Sequence, residues 1–427
     1  MNRAATTVAN ATVFDGTALR EWTSVRFEDG VITDCSMISA AQEGDEVIDA
    51  RGGTLIPGLI DAHVHLVPGA LEQSLTFGVT TVLDMFSTPA VVARARNRAS
   101  TCKDVADVRS SGIGATAPGG HPSAIYAPIP TLTEPGQADG FVAARIAEGT
   151  DYLKIFSGTG GLWPALDFDT ITSLVTAAHA RGLVVVAHVS SVAGVEDVVS
   201  AQVDVIAHVP ANAELGTSLV DRIAQADIAV GPTLVTIENA VGEQGGAGVV
   251  RDPRLTEMLG DRVMRKLTSR MSESTGAASV PYSLAESNVR RLADAGVRLL
   301  AGTDAPNPGT VFGASLHREL ELLVRCGVTP ARALASATSG PARVFGLADR
   351  GRISVGRRAD LVLVSGDPLT DITVTRAIER VWRSGSACER LAFVASEAEA
   401  EQLDAFDARV AAAVAAVRAR RRDRLLH

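Results

Sequence analysis

The chain has 427 residues, 46% of them hydrophobic, and a formal net charge of −9. That length buries a substantial core and is filled by one large domain and a smaller one, and the acidic balance argues against nonspecific nucleic-acid binding. Cys35, Cys102, Cys326 and Cys388 stand far apart without a C-x-x-C, which argues against a thiolate metal site and a disulfide framework.

The amino-terminal stretch has no signal-type apolar core, and no run approaches the roughly 20 apolar residues of a membrane span. A cytoplasmic enzyme with a small-molecule substrate and no membrane partner is expected, with a homo-oligomer left open. Residues 1 to 52 alternate short β patterns with turn signals, as in Ser24-Val25-Arg26-Phe27-Glu28-Asp29-Gly30-Val31-Ile32. The run Leu59-Ile60-Asp61-Ala62-His63-Val64-His65 then ends in two histidines at i and i+2, which a strand turns to the same side.

Further strands are expected near 79 to 85 and 108 to 115. The second leads into the turn-rich loop Pro118-Gly119-Gly120-His121-Pro122-Ser123-Ala124-Ile125-Tyr126. His121 there is placed either to hydrogen-bond a substrate carbonyl or oxyanion, or simply to order its own loop. Tyr126, Trp163 and Tyr282 are wall aromatics by this reading and ordinary packing by the plainer one.

Lys154 lies inside the apolar run Asp151-Tyr152-Leu153-Lys154-Ile155-Phe156. It is one of only three lysines, with Lys103 and Lys266, among 40 basic residues. A buried ammonium requires a carboxylate partner or must give up its proton. If the amine instead adds carbon dioxide to become a carbamate, it turns into an anion able to bridge two cations, which a guanidinium cannot do. A buried ion pair is the alternative.

His188 closes Leu183-Val184-Val185-Val186-Ala187-His188, and His208 closes Val205-Ile206-Ala207-His208 one βα unit later. A lone histidine at that position is ordinarily a satisfied core residue. Two on successive strands, with His63 and His65 upstream and Asp304 in Leu299-Leu300-Ala301-Gly302-Thr303-Asp304 downstream, are not explained by packing. Strands at 228 to 235 and 297 to 304 complete a set of eight, and all six metal-capable residues stand at strand ends, where a β/α barrel carries its chemistry.

Between the last two strands, residues 238 to 285 form an insertion with Gly242, Gly245, Gly246 and Gly248, expected to be a lid or a surface elaboration. His317, on the helix after the last strand, reads as structural, and His179 and His427 call for no role. Residues 351 to 392 return to β character. The expected organisation is α/β: a (β/α)8 TIM barrel over 58–349, a composite β-sandwich from 1–57 and 350–395, and a carboxy-terminal helix over 396–427. The Arg-rich end of that helix reads as a solvated helix terminus favoured by the macrodipole.

Four neutral imidazoles, one carbamate and Asp304 carry roughly two negative charges against four from two divalent ions, so a bridging hydroxide leaves the centre about one unit positive. Zinc suits these ligands, and manganese, cobalt or iron also fit.

The matching segments are Ile56-Pro57-Gly58-Leu59-Ile60-Asp61-Ala62-His63-Val64-His65, Gly78-Val79-Thr80-Thr81-Val82, the strand lysine, the two later histidines, Gly302-Thr303-Asp304-Ala305 and Arg358-Ala359-Asp360-Leu361-Val362-Leu363-Val364. With them the chain resembles the amidohydrolase superfamily, in its imidazolonepropionase-like and prolidase-like branch. The resemblance implies a barrel with His63 and His65 on one metal, His188 and His208 on a second, and a carbamylated Lys154 bridging them. Members of that branch often carry an acidic residue before the histidine of the sixth strand, and here Ala207 takes that place.

The expected reaction is hydrolysis of a carboxamide, in a small peptide-like, N-acyl or cyclic amide. Two metals about 3.5 to 4 Å apart would activate the bridging water and polarise the carbonyl, and Asp304 would move the proton from that water to the leaving amine. Ester or lactone hydrolysis at the same centre is the near alternative. Deamination is disfavoured because Val209, Pro210 and Ala211 follow His208, and a noncatalytic protein on this scaffold because it would be expected to lose ligands.

Overall fold

The computed structural model describes residues 5–157, 163–240, 246–268 and 281–425. Its first strands are β1 (Thr6–Ala9), β2 (Thr12–Phe14), β3 (Leu19–Arg20), β4 (Ser24–Glu28), β5 (Val31–Ser36), β6 (Glu46–Asp49) and β7 (Thr54–Pro57). A second series follows: β8 (Leu59–Val64), β9 (Val79–Asp84), β10 (Asp107–Ser110), β11 (Leu153–Phe156), β12 (Val185–His188), β13 (Val205–Ala207) and β14 (Ala229–Gly231). Near the end come β15 (Leu361–Val364), β16 (Ile378–Arg383) and β17 (Ser386–Cys388).

The second series forms two parallel sheets, β10-β9-β8 and β11-β12-β13-β14, with helices between the strands. Short apolar runs separated by helical segments dictate this arrangement, because parallel strands need crossovers and are covered on both faces. One set of side chains, including Ile60, Leu83, Val186, Val205, Ala229 and Leu300, packs as an inner cluster. A larger cluster, including Leu59, Val82, Leu153, Ile206, Leu292 and Leu320, lies between strands and helices.

Single parallel bridges link what the ladders leave apart: Ala115 to Ile155, Val230 to Leu299, and Val64 to Ala305. Three predicted strands are thus shorter than expected, each for a local reason. The strand at 108 to 115 ends at Ser110, before Gly112 with φ +59°. The one at 228 to 235 stops at Gly231, since Pro232 has no N–H to continue the ladder and a helix runs from Leu234 to Ala240. The segment 297 to 304 is irregular because its bonds change partner along its length. Leu300 N donates to Val230 O, Ala301 N to Ser336 O and Asp304 N to His63 O.

The remaining strands form a four-stranded sheet, β5-β4-β1-β6, and a six-stranded sheet, β17-β16-β15-β7-β2-β3. The two ends of the chain meet where β7 pairs antiparallel with β15, Pro57 opposite Leu361. Val8, Val25, Phe27, Leu55, Leu361 and Trp382 share one apolar cluster, with the Phe27 and Trp382 rings edge to face at 5.7 Å. Asp107, at the start of β10, accepts from Arg350 at 2.5 Å and Arg358 at 3.0 Å. Burial alone would raise its pKa, but the two guanidiniums hold the carboxyl below the usual range.

In the 238 to 285 insertion, Gly242 and Gly245 lie outside the described residues. The described parts form short helices whose Val249, Leu255 and Leu267 bury against Phe77, Val311 and Ala314. These helices flank the helix Ala314–Arg325, and among the described residues they contribute nothing to the wall of the site below. Among the described residues, no helix is long and apolar enough to cross a membrane.

His317 is wholly buried on the helix Ala314–Arg325. Its Nε2 donates to Phe77 O at 3.0 Å, and its Nδ1 lies 3.0 Å from the Thr375 hydroxyl. Burial pushes its pKa from 6.5 down to about 3. The unfolded chain therefore binds the extra proton first as pH falls below 6.5. Stability from this group is present above that pH and is lost towards the folded value, at most about 1.4 kcal/mol per pH unit. In urea unfolding between pH 4 and 7, H317Q is expected to show a shallower fall in stability with acid than wild type; identical slopes would contradict this role.

Candidate metal centre

Register places the six sequence-selected residues together. Phe156 in β11 is opposite His188 in β12, and His188 is opposite Ala207 in β13, so His188 and His208 emerge at the ends of neighbouring strands. Val64 bridges Ala305, which sets His63 and His65 beside Asp304. His63, His65, Lys154, His188, His208 and Asp304 all line one cavity of 80 Å³, together with His121 and Tyr126.

Several residues that sequence reading passed over hold these side chains in place. Buried Asp61 accepts from His63 N at 3.1 Å, from Thr303 N at 3.0 Å and from Thr303 Oγ1 at 2.7 Å. It thereby ties β8 to the loop carrying Asp304. Gly302 completes that contact, since a Cβ there would fall 2.8 Å from His63 Cβ and 2.9 Å from His63 N. Gly114 does the same for Lys154, whose Cβ and Cγ would lie 3.2 Å from an added methyl. The i, i+2 spacing signalled the histidines, but only the fold brings Asp61, Gly114 and Gly302 to them.

Three residues here adopt the left-handed backbone that disfavours side chains: His208 (φ 73°), Thr233 (φ 50°) and Asp304 (φ 53°). Such conformations cost about 1–3 kcal/mol each and persist where surrounding bonds over-determine them. Here the bonds are visible. His208 N donates to Gly231 O at 2.8 Å, and Asp304 N to His63 O at 2.8 Å. Just past Thr233, Leu234 N and Val235 N donate to the buried Glu319 carboxyl at 3.0 and 2.8 Å.

Thr233 also selects the tautomer of His208. Its hydroxyl donates to Pro232 O at 2.8 Å, so the oxygen, 2.7 Å from His208 Nδ1, accepts from that nitrogen. A neutral ring with its proton on Nδ1 presents the Nε2 lone pair to the cavity.

Donor atoms of His63, His208 and Asp304 lie within 4.8 Å of one another. Asp304 Oδ1 is 3.4 Å from His63 Nε2 and 3.1 Å from His65 Nε2. Ring centroids separate His63 from His208 by 4.9 Å, and His188 from His208 by 4.7 Å. His63 thus stands near His208 as well as near His65, whose ring centroid is 5.5 Å from its own, and Asp304 Oδ1 reaches both strand histidines.

Electrostatics keeps this group ready to donate lone pairs. Burial, reinforced by Lys154 and the neighbouring histidines, holds His63 well below its usual pKa. Burial does the same for His188, and it lowers His208 to about 4. For Asp304 burial acts upward, yet the His65 hydrogen bond and nearby cations leave the carboxyl below the ordinary value. Lys154 is pushed down to about 7 by burial, with Asp304 opposing. Among the described residues its Nζ is buried without a hydrogen-bond partner, as is His65 Nδ1. The neutral imidazoles of His63, His188 and His208, an ionised carboxylate and a buried amine form a donor set suited to divalent cations.

His121 reaches the wall, with its ring centroid 5.5 Å from His188, and loss of solvation lowers its pKa to about 4. Tyr126 stacks on Phe86 at 4.4 Å. The other two aromatics do not line the cavity. Trp163 stands behind His121 at 5.8 Å, and Tyr282 is buried in the main core at the start of the helix Tyr282–Asp294. His179 contacts Asp204 at 2.9 Å, and His427 lies outside the described residues.

Comparison with known proteins agrees with this geometry. The profile of the Amidohydrolase family matches residues 54–388. An imidazolonepropionase from Deinococcus deserti is 39% identical over 101 residues, a stretch spanning 25% of that protein and 23% of this chain. The imidazolonepropionase of Streptomyces griseus subsp. griseus is 27% identical over 390 residues, covering 87% of its length and 81% of this chain. A Xaa-Pro dipeptidase crystallised with methionine in its active site shares the fold, with a TM-score of 0.71 and 22% identity over 90% of this chain and all of that one.

Removing the hydroxyl that orients His208 leaves the backbone unchanged but frees the ring and its tautomer. T233V is expected to weaken divalent-metal affinity roughly 10–100-fold, measured by elemental analysis after dialysis against graded chelator. Wild-type retention would contradict the tautomer assignment.

Proposed function

Because the chain belongs to the amidohydrolase superfamily, in its imidazolonepropionase- and prolidase-like branch, and is therefore a hydrolase acting on carbon–nitrogen bonds, we propose that it cleaves a carboxamide in a small peptide-like, N-acyl or cyclic amide. The observation that carries this reading is the convergence of His63, His65, Lys154, His188, His208 and Asp304 on one cavity around a buried amine with no hydrogen-bond partner among the described residues. In this reading the two parallel sheets and the 297–305 segment are a (β/α)8 barrel spanning 58–349. The sheets built from 1–57 and 350–395 are its composite β-sandwich.

Two divalent ions, zinc in the first instance, would be held by the four histidines, Asp304 and Lys154 in its carbamylated form. When bound, they supply Lewis acidity: a lowered pKa for a shared water and polarisation of the scissile carbonyl. The fit is chemical. The imidazoles of His63, His188 and His208 are held neutral by burial, and conversion of the Lys154 amine to an anion would remove a buried cation while adding a ligand.

The protein's own groups then divide the work. Asp304, ionised and hydrogen-bonded to His65 Nε2 at 3.1 Å, accepts the proton released from the attacking water and delivers it to the leaving nitrogen. Its unusual backbone, fixed through His63 O and the Asp61–Thr303 bonds, keeps the carboxyl from turning away during that transfer. His121 stands opposite, on a loop whose neutral imidazole donates to the developing oxyanion. Tyr126, on the same loop, borders the substrate.

D304N keeps the shape of the carboxylate but cannot take a proton. It is expected to hold wild-type metal content while kcat falls roughly 10²–10⁴-fold. Assays on metal-loaded protein with N-acyl amines, dipeptides, cyclic amides and lactones test both points. Undiminished kcat in D304N would remove Asp304 from proton transfer, and cleavage of lactones alone would replace the amide reading by the ester one.

A further inference from the structure

The carboxy-terminal helix Glu397–Leu425 lies over the mouth of the site. Its more buried positions, including Ala400, Leu403, Phe406, Val410 and Ala413, recur at helical spacing, so one narrow stripe faces the protein. Phe406 and Val410 line the same 80 Å³ cavity as the six clustered residues. The Phe406 ring is 6.5 Å from Tyr126, whose loop the helix covers. The helix is tied down by ion pairs: Arg262 to Asp404 at 2.7 Å and to Asp407 at 3.0 Å, and Lys266 to Asp407 at 2.6 Å.

A second cavity, of 1010 Å³, shares Pro306, Phe406 and Val410 with the first. Val67, Phe312, Phe393 and Leu403 add to its apolar wall, while Arg262 and Lys266, paired with Asp404 and Asp407, form a charged part of the lining together with Asp261 and Arg265. The small cavity has room for little beyond the reacting amide. Any large substituent must therefore leave it, and Pro306, Phe406 and Val410, which border both cavities, stand where it would pass into the larger one.

The charges around the small cavity sharpen this. Among its described lining residues, no arginine is present and Lys154 is the sole lysine. A carboxylate next to the scissile bond would enter beside Asp304 without a guanidinium or free ammonium to meet it. Ile125, Phe156, Phe406, Pro122 and Pro306 offer apolar surface instead.

We propose that Phe406 and Val410 determine specificity at this site, and that its substrate is a neutral amide whose bulky apolar substituent passes between them and Pro306 into the larger cavity. The proposal rests on the hydrolytic reading above and narrows its substrate class.

A matched pair of probes tests it: N-acetylphenethylamine, and N-acetylphenylalanine, which adds only a carboxylate beside the amide. Binding to the full-length wild type freed of metal, which keeps the Asp304 carboxylate, is measured by calorimetry, and kcat/KM with the metal-loaded wild type. The neutral amide is expected to be favoured about tenfold or more in both, since the added carboxylate must lose its water beside Asp304 with no guanidinium to replace it. F406A should weaken both probes about tenfold or more through KM, because both carry the phenyl group whose burial contributes on that scale, and F406L should restore part of the loss, with thermal melts confirming that both variants fold. Preference for the carboxylate, absence of binding by either probe, or an unchanged KM for both in F406A would overturn the assignment. If binding shows the expected preference but neither probe is turned over, the specificity assignment stands and the hydrolytic reading fails.

Discussion

Burying the amine of Lys154 is the constraint on which this centre turns. Moving an ammonium out of water costs several kcal/mol even after relaxation, and among the described residues no hydrogen bond offsets it here. Asp304 opposes the loss of charge only at a distance, and the pKa falls to about 7. Three neighbouring imidazoles are held neutral by the same burial. A cluster in this state is strained as a protein interior and well prepared as a cation site: its lone pairs point inward and are desolvated before any ion arrives.

Much of the rest of the fold serves to keep those lone pairs in place. β8 and the 297–305 segment are sewn together through Asp61 and Thr303, and the absence of a side chain at Gly302 lets the backbones close on His63. Glu319, reaching from the helix Ala314–Arg325, fixes the turn that holds Thr233 against His208. Rigid elements thus fix the first layer of residues through a second, and this is how donor atoms are held to the tolerances that metal chemistry requires.

The residues of the centre were legible in the sequence because each closes an apolar run, and a polar residue in that position needs a reason. The strand lysine was legible for the same cause. Asp61 was hidden, although it stands within the His63 motif, because a buried carboxyl looks the same in sequence whether it orients a neighbour or binds an ion. Thr233 and Gly302 were hidden because their roles depend on contacts between segments far apart in the chain. The strand at 297 to 304 was read as regular because its apolar pattern is strand-like, whereas its bonds pass in turn to β14, Ser336 and β8. Composition drew attention to the glycine-rich insertion as a lid or a surface elaboration; its described parts pack beside Phe77 and hold the Ala-rich terminal helix through Arg262 and Lys266, and that helix brings Phe406 over the cavity.

The central claim is that Lys154 becomes an anion shared by two ions. The most direct measurement is ¹³C NMR of protein reconstituted with zinc and ¹³C-bicarbonate, with metal content determined on the same sample. The account predicts a carbamate resonance with about two metals per chain, and, in K154R, loss of both the resonance and at least one metal. Two metals bound without that resonance, or an unchanged metal content in K154R, would contradict it.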